Sequence, residues 1–345
     1  MPAHGPTETT YRAADDRYEK LEYRRTGSSG LDLPAFSFGL WQKFGTDYPY
    51  ETQREIVLHA FDLGITHFDN ANRYGPPHRA AEKFFGRVLS RDLAPHRDEL
   101  ILSTKAGNPI GPSPYLKGGS RKSLLTSLDH SLRDLGTDYV DIFYSHSPDP
   151  ATPLEETVGA LVSAVGSGKA LYAGLSNYSP ERAHEAAELL RAAGVPLLVH
   201  QPRYSIFDRR PETGGLLKLA AEDGFGLVVY SPLAQGLLTD KYLDGAIPQG
   251  ARAHNSAFLS PDAIDDGYRE RAKALNEIAR GRGQSLAQLA LQWVLRQPQV
   301  TSAIIGASST WQLDHNVTAL DFPPLTEEEL ALIDRYDGSG AGADA

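Results

Sequence analysis

The chain of 345 residues contains no cysteine. Disulfides, thiolate metal sites and cysteine nucleophiles are thereby excluded. An excess of positive charge is also missing: 34 Lys and Arg stand against 44 Asp and Glu, for a formal net charge of −10. No basic block stands out, and binding a phosphate backbone needs clustered Lys and Arg, so a nucleic-acid partner is disfavoured. No apolar run approaches the length of a membrane span. The opening MPAHGPTETTYRAADDRYEK has no hydrophobic signal core. A cytoplasmic location is the default expectation, with no membrane partner. The 11 histidines show no metal-ligand spacing, so no metal is expected. Phosphate-loop fingerprints are absent too. GSGKA at 166–170 lacks the first Gly and the hydroxyl residue of a Walker loop and reads as a helix stop. GLSNY at 174–178 lacks the second Gly of a nucleophile elbow.

What the chain has is alternation. β-rich runs recur at 36–40, 65–69, 100–105, 139–146, 171–176, 197–202, 226–232 and 301–306. Helical patterns lie between them. Leu124, Leu125, Leu128, Leu132 and Leu135 repeat at helical spacing between an N-cap at Ser120 and a stop at Gly136. Leu154, Val158, Leu161, Val162 and Val165 form a second such face, and Ala183, Ala186, Ala187 and Leu190 a third. Further helical patterns run over 268–280, 285–297 and 309–320. Strand–helix alternation implies parallel strands with right-handed crossovers. Eight units predict a closed (β/α)8 TIM barrel. The competing open doubly wound sheet should carry G-x-G-x-x-G after an early strand, and the first strand leads into WQKFG instead. EYRRTGSSGLDLPAF reads as a β-hairpin placed to plug the barrel bottom, and extra helices follow the last strand. Residues 1–20 read as a flexible N-terminal tail, 21–338 as a single domain and 339–345 as a flexible C-terminal tail.

In such a barrel, functional groups gather at the C-terminal strand ends. The second strand ends in Asp69, within ITHFDNANRYG; Tyr74 waits in the loop beyond. The third ends in Lys105 and the fourth in His146. Taken singly, each has a plain structural explanation: a turn former, a solvated cation, a hydrogen-bonded scaffold, a packed ring. Their coincidence at successive strand ends suits carbonyl reduction. Hydride attack on a carbonyl carbon builds negative charge on oxygen, and a general acid must supply a proton there. A free Tyr, with a pKa near 10, is too weak an acid, so a neighbouring Lys cation is expected to lower it. Asp69 pairs with Lys105, and His146 orients the carbonyl oxygen.

These residues resemble the aldo-keto reductase superfamily. Its D-x-A-x-x-Y-G segment is matched by Asp69, Ala71, Tyr74 and Gly75, its Lys by Lys105 in STK, and its His by His146 in FYSHSPD. The likeness covers 22–338. GSRKSLL, YVDIFYSH, GKALYAGLSNYSPER and SPLAQGLLTDKY bring it near the bacterial L-glyceraldehyde 3-phosphate reductase group, with β subunits of voltage-gated potassium channels more distant. The resemblance implies NADP(H) as cofactor. Ser176, Asn177 and Gln201 would hold the nicotinamide carboxamide, and Tyr230 would stack on its ring. Ser231, Leu233, Gln235, Gly236 and Leu237 would wrap the pyrophosphate near Lys241, and Arg252 would reach the adenosine end. Gly306, Ser308, Gln312 and Asn316 would receive the 2′-phosphate. Gly306 and Gln312 stand where many reductases have Lys and Arg, His315 where nearer relatives have Glu, and Asn70 where much of the superfamily has Thr. The implied activity is NADPH-dependent reduction of small aldehydes such as glyceraldehyde 3-phosphate or methylglyoxal. The alternative is a cofactor-sensing regulatory subunit with slow turnover. A homo-oligomer is compatible with both.

From the residues themselves, Trp41 is expected either as an apolar pocket wall or as core. The Gly- and Pro-rich loop 107–121 is expected at the substrate side of the mouth. Arg121 and Lys122, at a helix start, are expected as receivers of a substrate phosphate.

Overall fold

The computed structural model describes residues 11–243 and 259–337. The described residues include ten strands: β1 (Tyr23–Arg25), β2 (Asp32–Pro34), β3 (Phe36–Gly39), β4 (His67–Asp69), β5 (Ile101–Ala106), β6 (Val140–Ser145), β7 (Ala170–Ser176), β8 (Leu197–Gln201), β9 (Gly226–Val229) and β10 (Val300–Ile305). The last eight close into a barrel in the order β10-β3-β4-β5-β6-β7-β8-β9. Every pairing in it is parallel. The fold is the (β/α)8 barrel that the alternation predicts, and the open sheet is ruled out by closure of β10 on both β3 and β9.

The helices form where apolar stripes and caps coincide. In Arg121–Leu135, Ser120 Oγ accepts the Ser123 N–H, Gly136 ends the helix at φ 66°, and Leu124, Leu128, Leu132 and Leu135 face the barrel. Pro180–Ala192 starts the same way, with Ser179 as cap and Pro at the first position. Two further helices bury a polar side chain on their apolar face. Tyr50–Asp62 includes the buried Gln53, which exchanges hydrogen bonds with the Gly45 backbone. Ala80–Val88 buries Glu82 beside Ala81, Phe84, Phe85 and Val88. Helix Glu327–Asp334 opens with a Thr326/Glu329 capping box and packs on Asp266–Gly281.

The hairpin β1–β2 covers the lower end. Leu33 joins Ile142, Val199, Val228 and Ile304 in one apolar cluster. At the turn, Gly27 has φ 54°, and a Cβ there would lie 2.2 Å from the Gly224 carbonyl oxygen. Only glycine satisfies both constraints.

Residues 11–20, read from sequence as part of a flexible tail, are instead docked. Tyr11 Oη donates to Asp62 Oδ1 at 2.8 Å, the Ala14 N–H reaches the same oxygen, and Ala13 and Leu21 are buried. Their anchors sit on another helix, which explains why local composition concealed them. Residues 339–345 lie outside the described residues.

Glu82 lies beneath β5 and accepts from Thr104 Oγ1 at 2.6 Å. Burial pushes its carboxyl up to about 7, against hydrogen bonds from Thr104 and Ser131. A raised folded value means that the proton favours the native state. That stability is fully present below the ordinary value of 4.5 and is lost as pH rises through about 7. Glu82→Gln should remove a slope on the order of 3 kcal/mol between acid and alkaline conditions. Urea denaturation at stepped pH measures it; an unchanged slope would rule Glu82 out as its source.

Candidate active site

The C-terminal strand ends open into one elongated cavity of about 550 Å³. Asp69, Tyr74 and His146 line its floor. Lys105 sits just behind them, with no exposed surface. Parallel pairing of β4 with β5 sets this arrangement, because Asp69 registers with Ser103 and so stands beside the strand that carries Lys105. Lys105 Nζ donates to Asp69 Oδ2 at 2.6 Å, to the Tyr74 phenol oxygen at 3.0 Å and to the Asn70 carbonyl at 2.9 Å. The ammonium thus uses all three protons. The Tyr74 hydroxyl lies 3.5 Å from Asp69 Oδ2. The Tyr74 and His146 rings meet edge to face, centroids 6.1 Å apart. The structure brings all four sequence-predicted residues together.

The electrostatics differ from the sequence expectation at one point. Tyr74 is pushed well above its ordinary value, first by burial and then by the Asp69 carboxylate. The expectation that Lys105 lowers it overlooked that this ammonium is already paired with a carboxylate at closer range. The phenol therefore stands protonated at neutral pH, the state a proton donor requires. Burial drives Asp69 upward, but the charge of Lys105 and the hydrogen bonds from Lys105 and Gln201 act together to hold the carboxyl below its ordinary range. Burial pulls Lys105 down, opposed by Asp69. His146 is lowered to about 3 by burial and then by Lys105, so the ring is neutral. Its Nδ1 is buried without a partner. A bare lone pair there costs less than a bare N–H, so the proton belongs on Nε2, as a donor.

Along the cavity, Ser176, Asn177 and Gln201 form one hydrogen-bonded group. Ser176 Oγ donates to the Gln201 carbonyl and accepts from Asn177 Nδ2. Gln201 Nε2 donates to Asp69 Oδ1 at 3.0 Å, tying this group to the floor. Tyr230 donates to Asn177 Oδ1 at 2.8 Å, which fixes the phenol ring as a wall. Beyond it, Ser231, Ala234, Gln235 and Gly236 all take positive φ. Only the last is glycine, so the turn is strained and held by contacts such as Gln235 Nε2 to Ser231 Oγ. Ser231, Leu233, Gln235, Gly236 and Lys241 line the cavity. Leu237 does not; its carbonyl accepts from the Tyr268 hydroxyl at 2.7 Å. At the far end Gly306, Ser308, Gln312 and Asn316 line the wall. Ser308 donates through N–H and Oγ to Gln312 Oε1. Arg252 lies outside the described residues. The donor set matches a dinucleotide: amides and hydroxyls near the floor, an aromatic wall, then a tight turn with a cation.

Trp41 lines the cavity and is no core residue. Of loop 107–121 only Asn108 does. The end of the loop is anchored, Gly119 N–H donating to Asp149 and Thr157 Oγ1 to the Gly119 carbonyl. Arg121 faces elsewhere: its Nη1 donates to the Gly159 carbonyl at 3.0 Å. Neither it nor Lys122 lines the cavity, so the phosphate role expected of them is withdrawn. Sequence reasoning passed over Arg73 and Arg203, which do line it. Each follows a strand end within four residues, a signal that would have found them. It also passed over Trp311, which stacks on His315 with centroids 5.1 Å apart at the far end.

A closed barrel whose mouth sets a phenol against a buried ammonium defines an oxidoreductase site. The chain belongs to the aldo/keto reductase family, which residues 35–337 match. It is 52% identical over 332 residues to the L-glyceraldehyde 3-phosphate reductase of Escherichia coli K12, covering 95% of this chain and 96% of that one. It is 37% identical over 310 residues to a probable voltage-gated potassium channel subunit beta of Arabidopsis thaliana, covering 88% and 93%. An aldo-keto reductase of Bacillus halodurans, solved in its holo form, superposes with a TM-score of 0.73 at 29% identity, covering 92% and 96%. The protein is an oxidoreductase of a family that generally uses nicotinamide cofactors.

Proposed function

We propose that the protein reduces small aldehydes with NADPH, glyceraldehyde 3-phosphate being the leading substrate and methylglyoxal or similar aldehydes further candidates. The observation that carries this reading is the contact of Lys105 Nζ with both Asp69 and the Tyr74 oxygen at the cavity floor. When bound, the nicotinamide supplies the hydride that adds to the carbonyl carbon. Tyr74 gives its proton to the carbonyl oxygen, and Lys105 stabilises the phenolate left behind. Asp69 keeps that lysine charged and in place. His146 donates from Nε2 to the substrate oxygen and orients it. Ser176, Asn177 and Gln201 hold the carboxamide, with Tyr230 against the ring. Gln201 Nε2 is committed to Asp69, so its carbonyl oxygen faces the amide. Ser231, Leu233, Gln235, Gly236 and Lys241 take the pyrophosphate, and Ser308, Gln312 and Asn316 the 2′-phosphate.

Arg73 and Arg203 bring guanidinium groups to the cavity that Tyr74 and His146 share. They favour an aldehyde that carries a phosphate, as the name of the Escherichia coli relative suggests. The test is steady-state turnover of glyceraldehyde 3-phosphate, glyceraldehyde and methylglyoxal, with NADPH and NADH in parallel. Arg203→Ala should raise KM for the phosphorylated aldehyde about tenfold and leave that for glyceraldehyde unchanged. Equal effects on both would remove Arg203 from phosphate recognition. A single burst without turnover would instead favour a cofactor-sensing subunit, a reading supported by the likeness to the channel β subunit.

A further inference from the structure

Half of the barrel interior is polar. On β10, β3, β4 and β5 the inward positions hold Ser302, Ser37, His67 and Ser103, none with exposed surface. The opposite half is apolar, built from Ile142, Val199 and Val228. Aliphatic side chains would fill the first half as they fill the second. Burying four polar groups costs free energy unless each is bonded, and here each is. Ser302 Oγ lies 2.6 Å from Ser37 Oγ, and Ser37 Oγ lies 2.7 Å from His67 Nδ1. His67 Nε2 lies 3.0 Å from Ser103 Oγ, which donates to Asp69 Oδ1 at 2.9 Å.

The direction of the whole chain follows from its last member. Asp69 is ionised and only accepts. Ser103 spends its one proton there, so it accepts from His67. The imidazole is buried and neutral, with its pKa held down near 4. A neutral ring has one N–H, which must be on Nε2. Nδ1 then accepts from Ser37, and Ser37 in turn accepts from Ser302. Every dipole in the chain points at the carboxylate. Two neutral donors, Ser103 and Gln201, hold Oδ1, and this turns Oδ2 toward Lys105 and Tyr74.

We infer that His67 is a positioning residue for the reductase reaction, acting through Ser103 to fix the orientation and charge of Asp69. This rests on the proposed role of the Asp69–Lys105–Tyr74 group. Without His67, Ser103 is free to turn its proton away. The carboxylate loses a donor, its ionised form is less favoured and its pKa rises.

The test compares His67→Leu, His67→Gln and Ser103→Ala in the full-length enzyme. His67→Leu should lower kcat about tenfold, the size of one lost hydrogen bond to a charged group. KM for the aldehyde and Kd for NADPH, read by fluorescence, should stay within about twofold. The acidic limb of the kcat–pH profile should move to higher pH as Asp69 protonates more readily. His67→Gln, whose amide nitrogen replaces Nε2 as donor, should recover most of the loss. If His67→Leu does not fold, Ser103→Ala gives the same readouts, since it removes the last link. Wild-type kcat and an unmoved acidic limb in Ser103→Ala would overturn the inference. So would a loss that His67→Gln does not rescue. If the wild type itself turned over no aldehyde, the catalytic reading would fall, and the relay would be decided by nitrogen NMR of the His67 ring. An Nε2–H tautomer supports it; an Nδ1–H tautomer or a doubly protonated ring overturns it.

Discussion

Tyr74→Phe should bind NADPH as the wild type does and reduce aldehydes about 10²–10⁴-fold more slowly, the usual contribution of a positioned general acid. The substitution removes a single oxygen. Lys105 keeps its bonds to Asp69 and to the Asn70 carbonyl, so the floor of the cavity retains its shape and charge. The hydrogen bonds that join Ser176, Asn177, Gln201 and Tyr230 do not involve the Tyr74 oxygen. Loss of kcat with an unchanged cofactor Kd is therefore the diagnostic pair, read by steady-state kinetics and fluorescence titration. Residual reduction above a tenth of the wild-type rate would mean that another group delivers the proton. A loss of NADPH affinity of the same size would mean that Tyr74 serves binding rather than chemistry.

Lys105→Met should destabilise the protein by about 3–5 kcal/mol, the cost of leaving one partner of a buried ion pair uncompensated. Lys105 and Asp69 are both sealed from solvent at 0% and 1% exposure, so water cannot screen the orphaned carboxylate. Turnover should vanish as well, because nothing remains to stabilise the phenolate. The double variant Asp69→Asn/Lys105→Met separates the two effects. It should regain most of the stability, since no charge is left buried, and none of the activity. Denaturant unfolding and turnover on the same preparations check it. A single variant as stable as the wild type would show that Asp69 is neutral in the native state, contrary to the pairing described.

Much of this architecture was legible in the sequence because barrels place chemistry at strand ends. Asp69, Lys105 and His146 close three successive β-rich runs, and Tyr74 stands in the loop after the first of them. The helix faces were legible where caps and leucine stripes agree, as in 121–135. What was not legible depends on three-dimensional neighbours. The sign of the Tyr74 shift required knowing that Lys105 is already closer to Asp69. Ser302 and Ser37 are far apart in the chain, and neither hints at the other until β10 pairs with β3. Docking of residues 11–20 rests on Asp62, an acceptor on another helix. Arg121 read as a phosphate ligand because it opens a helix, yet its guanidinium turns to Gly159 on the neighbouring one.

The apolar stopper at Leu33 has a consequence for solvent. The barrel is a vessel with its neck at the cavity that Tyr74 and His146 line and its base closed by aliphatic side chains. The cavity that Asp69, Tyr74 and His146 line opens at that neck, so exchange with bulk solvent runs through it. Once the neck is filled, the acidic protons below it are cut off from bulk exchange, and a tritium or deuterium label placed there should leave only when the neck empties.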